Sequence, residues 1–184
     1  MIKLSVLIPS IPERFYLLNE LYRKLSSEYV EVLCLADNKI MSIGEKRDKL
    51  LTLAKGRYIT FVDDDDMVSD DYISSILEVV DNNDIDLITF LQRANISGVT
   101  STIDFDIAHE KNEEFHEGTV KRRPFHVCVW KRAKVNHIRF PHINYGEDSA
   151  WSEQACLEVS SQIKINKVLH FYTYDSNITR AFSE

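Results

Sequence analysis

Glycine and proline are scarce in this chain, five and four in 184 residues. No Pro/Gly-rich linker, low-complexity tract or internal repeat interrupts it, which favours one domain. Cysteine is scarcer still: Cys34, Cys128 and Cys156 are widely spaced and form no Cys-x-x-Cys pair. That odd number suits a reducing compartment better than a disulfide framework. No apolar run approaches the roughly 18 residues of a membrane-spanning helix. The N-terminal run Ile2 to Pro9 is too short for a signal peptide and lacks its small-residue cleavage site. Basic residues are outnumbered, 22 to 29, for a formal charge of -7, which argues against general polyanion binding and makes nucleic acid an unexpected partner. A cytoplasmic protein, or one peripheral to a membrane, is expected.

What is present is an apolar content of 44%, enough to bury the core of one domain of this length and too little chain for two. The pattern centres on Gly56-Arg57-Tyr58-Ile59-Thr60-Phe61-Val62, a β-branched and aromatic run that ends in Asp63, Asp64, Asp65 and Asp66. Four carboxylates at a strand end repel one another unless a cation sits among them, so a divalent metal is the simplest use for them. A solvated loop or a cap for the following helix competes with that reading, above all for Asp70 and Asp71. An EF-hand loop counted from Asp63 fails, because Val68 and Ser74 stand where Gly and Glu are needed.

In chain order, Lys3 to Ile8 reads as a strand stopped by Pro9-Ser10-Ile11-Pro12. Glu13 to Ser26 carries Phe15, Leu18, Leu21, Tyr22 and Leu25 at the spacing of one helical face. Val30 to Ala36 is a nearly continuous apolar strand, as if covered on both faces, and ends at Asp37-Asn38. Ile43 to Ala54 reads as a helix with Leu50, Leu51 and Ala54 inward and Lys46, Arg47 and Lys49 near its start or outer face. With the strand Tyr58 to Val62, this alternation predicts right-handed crossovers and a parallel core, with ligands gathered at the strands' carboxyl ends. A helix over Tyr72 to Val80 and a strand over Ile85 to Gln92 follow. The stretch from Asn95 to Thr119 is polar, with short hairpin strands expected around Gly98 and Gly118.

Lys121, Arg122, Arg123, Lys131, Arg132 and Lys134 form the chain's basic cluster around a short strand, Val127 to Trp130. The cluster reads as a solvated rim or as a contact to a phosphate or an acidic acceptor. Tyr145-Gly146-Glu147-Asp148 precedes a helix from about Ser149 to Val159. Acids there suit the helix dipole, and either could also act as a general base toward an acceptor hydroxyl. Ile163 to Ile165, then Val168 to Tyr174 with His170, close the pattern before a polar tail.

The order strand-Pro-Ser, strand-Asp37-Asn38, Gly-Arg-Tyr-Ile-Thr-Phe-Val-Asp-Asp-Asp-Asp and Tyr-Gly-Glu-Asp-x-x-Trp resembles the family 2 glycosyltransferases over roughly Ile2 to Tyr174. The resemblance implies a single-domain α/β GT-A fold over residues 1–184, a Rossmann-like, mixed, mostly parallel central sheet flanked by helices. Residues 1–92 would form the nucleotide-binding half and 93–184 the acceptor and catalytic half. It implies transfer of a sugar from a nucleotide-diphosphate donor, most often a UDP-sugar, to the hydroxyl of a glycan or other acceptor, with inversion and with Mn²⁺ or Mg²⁺. By the same resemblance Pro9 would precede the wall of the nucleotide pocket, Asp37 would bind the base, and Arg47 would lie near the nucleotide or its phosphates. Asp63, with Asp64 beside it, would approach the ribose or sugar. Asp65, with Asp66 sharing the role, and His170 would ligate the metal. Asp148, the acid of the pair with Glu147, would be the catalytic base.

Asp48 stands where many relatives have Asn, and the absence of a Gln-x-x-Arg-Trp motif speaks against a processive synthase. The chain is short for the family, so residues 95 to 132, a second copy or a partner protein would complete the acceptor site. Two rivals from other classes remain at this stage. One is an Asp-x-Asp phosphohydrolase with Asp63 as nucleophile, although Met67 stands where that class has Thr or Val. The other is a nucleotide-sugar or metal-binding module without catalysis. Within the transferase reading, modified bases of viral DNA are an acceptor variant supported by the basic cluster alone.

Overall fold

The computed structural model describes residues 1–174; the polar tail beyond Tyr174 lies outside the described residues. The strands are β1 (Leu4–Ser10), β2 (Val30–Ala36), β3 (Tyr58–Phe61), β4 (Met67–Val68), β5 (Leu87–Ile96), β6 (Val99–Phe105), β7 (Gly118–Arg122), β8 (Val129–Lys131) and β9 (Gln162–Tyr174). The helices are α1 (Phe15–Leu25), α2 (Ile43–Leu53), α3 (Tyr72–Asn82), α4 (Arg132–Val135) and α5 (Glu147–Glu158). Strands β2, β1 and β3 pair in parallel, and β8 joins β3 to β5 antiparallel to both. β9 runs parallel to β5 along one edge, while β8 and then β6 share the other edge. The result is an α/β fold, a central sheet with a parallel heart flanked by helices.

Period-two alternation sends Leu4, Val6 and Ile8 of β1 and Tyr58 and Val62 of the β3 segment to one face, where Leu21 and Leu25 of α1 and Ile76 and Val80 of α3 cover them. Leu7, Ile59 and Phe61 face the other side, against Leu50 and Leu51 of α2 and Trp151 and Ala155 of α5. Both clusters draw on residues before and after Gln92. No helix among the described residues is long and apolar enough to cross a membrane.

Several local expectations need correction. β1 runs on through Pro9 and Ser10, because it stays paired to β2 there while its β3 pairing has ended at Leu7, so a missing N–H costs little. β2 is covered on both faces as expected, with Val30 and Val32 packed against one core and Leu33 and Leu35 against the other, but as an edge strand it is only partly buried and leaves Cys34 exposed. In α1, Phe15 and Tyr22 are exposed, and only Leu21 and Leu25 are fully buried. In α2, Lys46 and Arg47 are buried instead of lying on an outer face. The two closing strands are one, β9, which absorbs the expected break as register shifts against β5 near Leu91. Of the hairpin strands expected around Gly98 and Gly118, the first forms, with Ser97 and Gly98, both at positive φ, turning β5 into β6, whereas β7 from Gly118 pairs parallel to β6 after a non-strand connection over 106–117.

Candidate active site

Phe61 is the last residue of β3, and the acids that follow it fold into a tight turn in which Asp66 N–H donates to the Asp63 carbonyl at 3.0 Å. The turn sorts the four carboxylates to different partners. Asp63 accepts from Arg47 Nη2 at 2.8 and 3.0 Å. Asp64 accepts from Ser10 Oγ at 2.7 Å and from Arg14 Nη1 at 2.8 Å. Asp65 meets the same Arg14 at 2.9 Å. Asp66 turns inward, because β4 pairs Val68 with His170 of β9, and its Oδ2 lies 3.4 Å from His170 Nε2.

The charges respond to these surroundings. Burial pushes the Asp63 carboxyl upward, yet the Arg47 guanidinium and then His126 outweigh it and hold Asp63 well below the ordinary range. Asp66, by contrast, is held well above its ordinary value by burial and by repulsion from Asp63 and Asp65. Burial, with neighbouring His126, lowers His170 to about 4, leaving a neutral imidazole. Glu147 is raised by burial and by Asp148, against the pull of Arg47, whose Nε is 3.3 Å away.

The second acidic stretch reaches the first through an aromatic anchor. Gly146, at φ 83°, caps α5 in a left-handed conformation that favours glycine. Three residues past Asp148, Trp151 stacks on Phe140 at 4.9 Å and meets Phe61 and Trp130 edge-on. This fixes the first turn of α5 against the end of β3, so that Glu147 reaches Arg47. Buried His126 then stands between the two acidic stretches, its Nε2 3.9 Å from Asp63 and its Nδ1 3.8 Å from Asp148. Burial and the nearby Arg47 lower its pKa, so this ring too is neutral at neutral pH.

Asp63, Asp66, Gln92, Arg122, His126, Asp148 and Tyr172 line one cleft of about 250 Å³. Asp37 lies apart, at the end of β2: burial pushes its carboxyl up, but Lys46 and the Met41 and Ile40 amides hold it below the ordinary range. Lys46 also donates to the Ser10 carbonyl at 2.8 Å, tying Asp37 to the end of β1 beyond buried Pro9. Arg47 is fully buried, with its guanidinium directed at Asp63 and Glu147.

A metal can be tested against these donors. Among the described residues no three His, Cys, Asp or Glu side chains converge to hold an ion. Asp66 and His170 do converge, and His170 Nε2 is buried with no hydrogen-bond partner. A carboxylate and an imidazole suffice for a hard cation that takes its remaining oxygens from a diphosphate. As a ligand, His170 would carry its proton on Nδ1, which lies 3.0 Å from the Gln92 amide; the amide would then present its oxygen. Asp65 points to Arg14 instead.

Sequence reasoning missed Ser10, Arg14, Lys46 and His126. A lone His within Phe125-His126-Val127 carries no periodic or motif signal, and the pairing of Arg14 with Asp64 spans 50 positions. A phosphohydrolase would need Asp63 free to attack, whereas both its oxygens accept from Arg47.

The family model described as glycosyl transferase family 2 matches residues 19–136, more than half of the chain. The chain belongs to that family. No curated protein matches the sequence. Among solved structures, S. aureus TarS superposes with a TM-score of 0.68 at 16% identity, covering 94% of this chain and 37% of that one. TarS 1-349 in complex with UDP-GlcNAc gives 0.66 at 14% identity, covering 95% and 59%. Glucosyl-3-phosphoglycerate synthase from Mycobacterium tuberculosis, in complex with Mn²⁺ and UDP-glucose, gives 0.53 at 12%, covering 97% and 74%. At these identities the likeness is one of fold, the GT-A glycosyltransferase fold. The chain spans 37% to 61% of the TarS structures it matches.

Proposed function

We propose that this family 2 glycosyltransferase uses a UDP-sugar as donor and a divalent cation, Mn²⁺ or Mg²⁺, and transfers the sugar with inversion to an acceptor hydroxyl. The observation that carries the proposal is the meeting of Asp63, Asp66 and Asp148, from two distant stretches, in one cleft. Similar folds that hold UDP-GlcNAc or UDP-glucose support the choice of donor.

In this reading Asp37, at the end of β2 beyond Pro9, binds the base, and Asp63 and Asp64, fixed by Arg47 and by Ser10 and Arg14, face the ribose and sugar. Asp66 and His170 would hold the cation, with Asp65 joining if Arg14 turns from it to the diphosphate. The cation, when bound, supplies neutralising charge at the leaving diphosphate. The acceptor oxygen forms its bond to the anomeric carbon as the bond to the diphosphate oxygen breaks. UDP leaves with that electron pair, and the hydroxyl proton passes to Asp148. Glu147, buried against Arg47, keeps Asp148 on the first turn of α5. Residues 1–92 serve as the donor half and 93–184 as the acceptor half of one domain, with a second copy or a partner free to extend the acceptor wall.

Thermal unfolding with UDP, UDP-glucose and UDP-GlcNAc, each with and without Mn²⁺, tests the proposal, since a ligand of the native state raises its melting temperature. The expected result is a rise that requires the metal. If no nucleotide moves the transition under either condition, the proposal fails.

A further inference from the structure

Half of the chain's basic cluster is engaged away from the cleft. Lys131 pairs with Asp84 at 2.7 Å, Arg132 Nε donates to the Gly56 carbonyl at 2.7 Å, and Lys134 lies 3.6 Å from Asp86. Arg122 differs. It is the last residue of β7, opposite Phe105 of β6, and alternation along the strand puts it on the same face as fully buried Val120. Its Nε is buried with no hydrogen-bond partner, and it forms no ion pair with a described carboxylate although it lines a cleft walled by Asp63, Asp66 and Asp148. A guanidinium turned inward with an orphaned donor is costly unless an anion completes it. The donor-side acids have cations of their own, Arg47 for Asp63 and Arg14 for Asp64 and Asp65. Arg122 arrives instead from the β6–β7 extension, on the side of Phe115 and Phe125.

Resting on the transferase reading above, the geometry points to an acceptor that carries an oxyanion, a phosphate or carboxylate group held by Arg122, with its hydroxyl turned toward Asp148. The planar fork of donors matches such a group in two-point fashion. Phe115 and Phe125, which line the same cleft, would supply apolar surface to a sugar or alcohol bearing that group.

Melting temperatures of the wild-type chain, Arg122→Gln and Arg122→Lys, titrated with glucose 6-phosphate, glucuronate and glucose, test this assignment. Each titration is run with UDP and Mg²⁺ present and again without nucleotide, so that the anion site is scored even if UDP itself has no effect. At tenfold excess over Kd the charged sugars are expected to raise the wild-type transition by about 3–5 °C for a chain of this size, and glucose to leave it unmoved. Arg122→Gln should abolish that rise and Arg122→Lys should keep part of it, both with the UDP and Mg²⁺ response of the parent. Equal responses to charged and neutral sugars, or an undiminished response in Arg122→Gln, would overturn the assignment. Loss of the UDP response in Arg122→Gln would overturn it too, since Arg122 would then serve the donor's diphosphate. A wild-type chain indifferent to UDP but responsive to charged sugars would instead count against the donor reading alone.

Discussion

The guanidinium of Arg47 grips both oxygens of the Asp63 carboxylate, at 2.8 and 3.0 Å, from a position on α2 that is 1% exposed. Its Nε faces Glu147, so one buried cation holds the two acidic stretches at their present spacing. Arg47→Met would strand Glu147 and Asp63 without a counter-charge. A loss of about 3–5 kcal/mol in urea unfolding is expected, with part of it recovered on adding Glu147→Gln. A loss below about 1 kcal/mol, the range of an ordinary surface change, would mean the pair does not brace the site.

Asp66 and Asp148 are expected to separate binding from turnover. Asp66→Ala should remove the Mn²⁺-dependent stabilisation by UDP. Asp148→Asn should retain it while transfer falls by about a hundredfold or more, the scale of a lost general base. Unimpaired transfer by Asp148→Asn, followed by UDP release, would strike Asp148 from that role.

The raised Asp66 carboxyl gives the metal-free chain a signed pH dependence. Because the folded state keeps this proton to higher pH than the unfolded one, the group's contribution is fully present below the unfolded pKa and is lost as pH rises through the folded pKa. Asp66→Asn, which cannot ionise, should therefore flatten the fall in melting temperature toward neutral pH and stand above the wild type there. Mn²⁺ with UDP should reverse the order, since the cation needs the carboxylate that the wild type alone provides. Parallel pH profiles for the two proteins would dismiss this account.

Gly44 is a packing constraint on the loop that leads to Asp148. A Cβ there would meet the Pro141 carbonyl oxygen at 1.9 Å, and Gly44 N–H already donates to the Ile143 carbonyl at 3.1 Å. Gly44→Ala should cost about 1–3 kcal/mol by overpacking and lower transfer more than UDP binding, because the displaced segment carries Gly146 to Asp148. Calorimetry alongside UDP titration would separate those two effects.

The parallel heart of the sheet was legible because β1 and β3 are short, nearly continuous apolar runs that alternate along the chain with the helical segments α1, α2 and α3. The acid run and the Glu147-Asp148 pair were equally plain, since charge at a strand end or a helix start stands out without tertiary knowledge. Periodicity said little about Lys46 and Arg47, whose burial depends on carboxylates contributed from Asp37, Asp63 and Glu147. The same holds for His126, which gains its neighbours only when β8 docks beside β3. The β6–β7 extension was the least legible part. Its strands alternate weakly, and its inward arginine looked like one more member of a solvated basic rim.

Trp130 and Trp151 are the only two tryptophans in the sequence, and their rings pack 5.5 Å apart, one of them a single helical turn from Asp148. The protein therefore carries a built-in optical probe beneath its acidic cleft. Changes in intrinsic emission on adding donor or acceptor would report movement of that helix without any label.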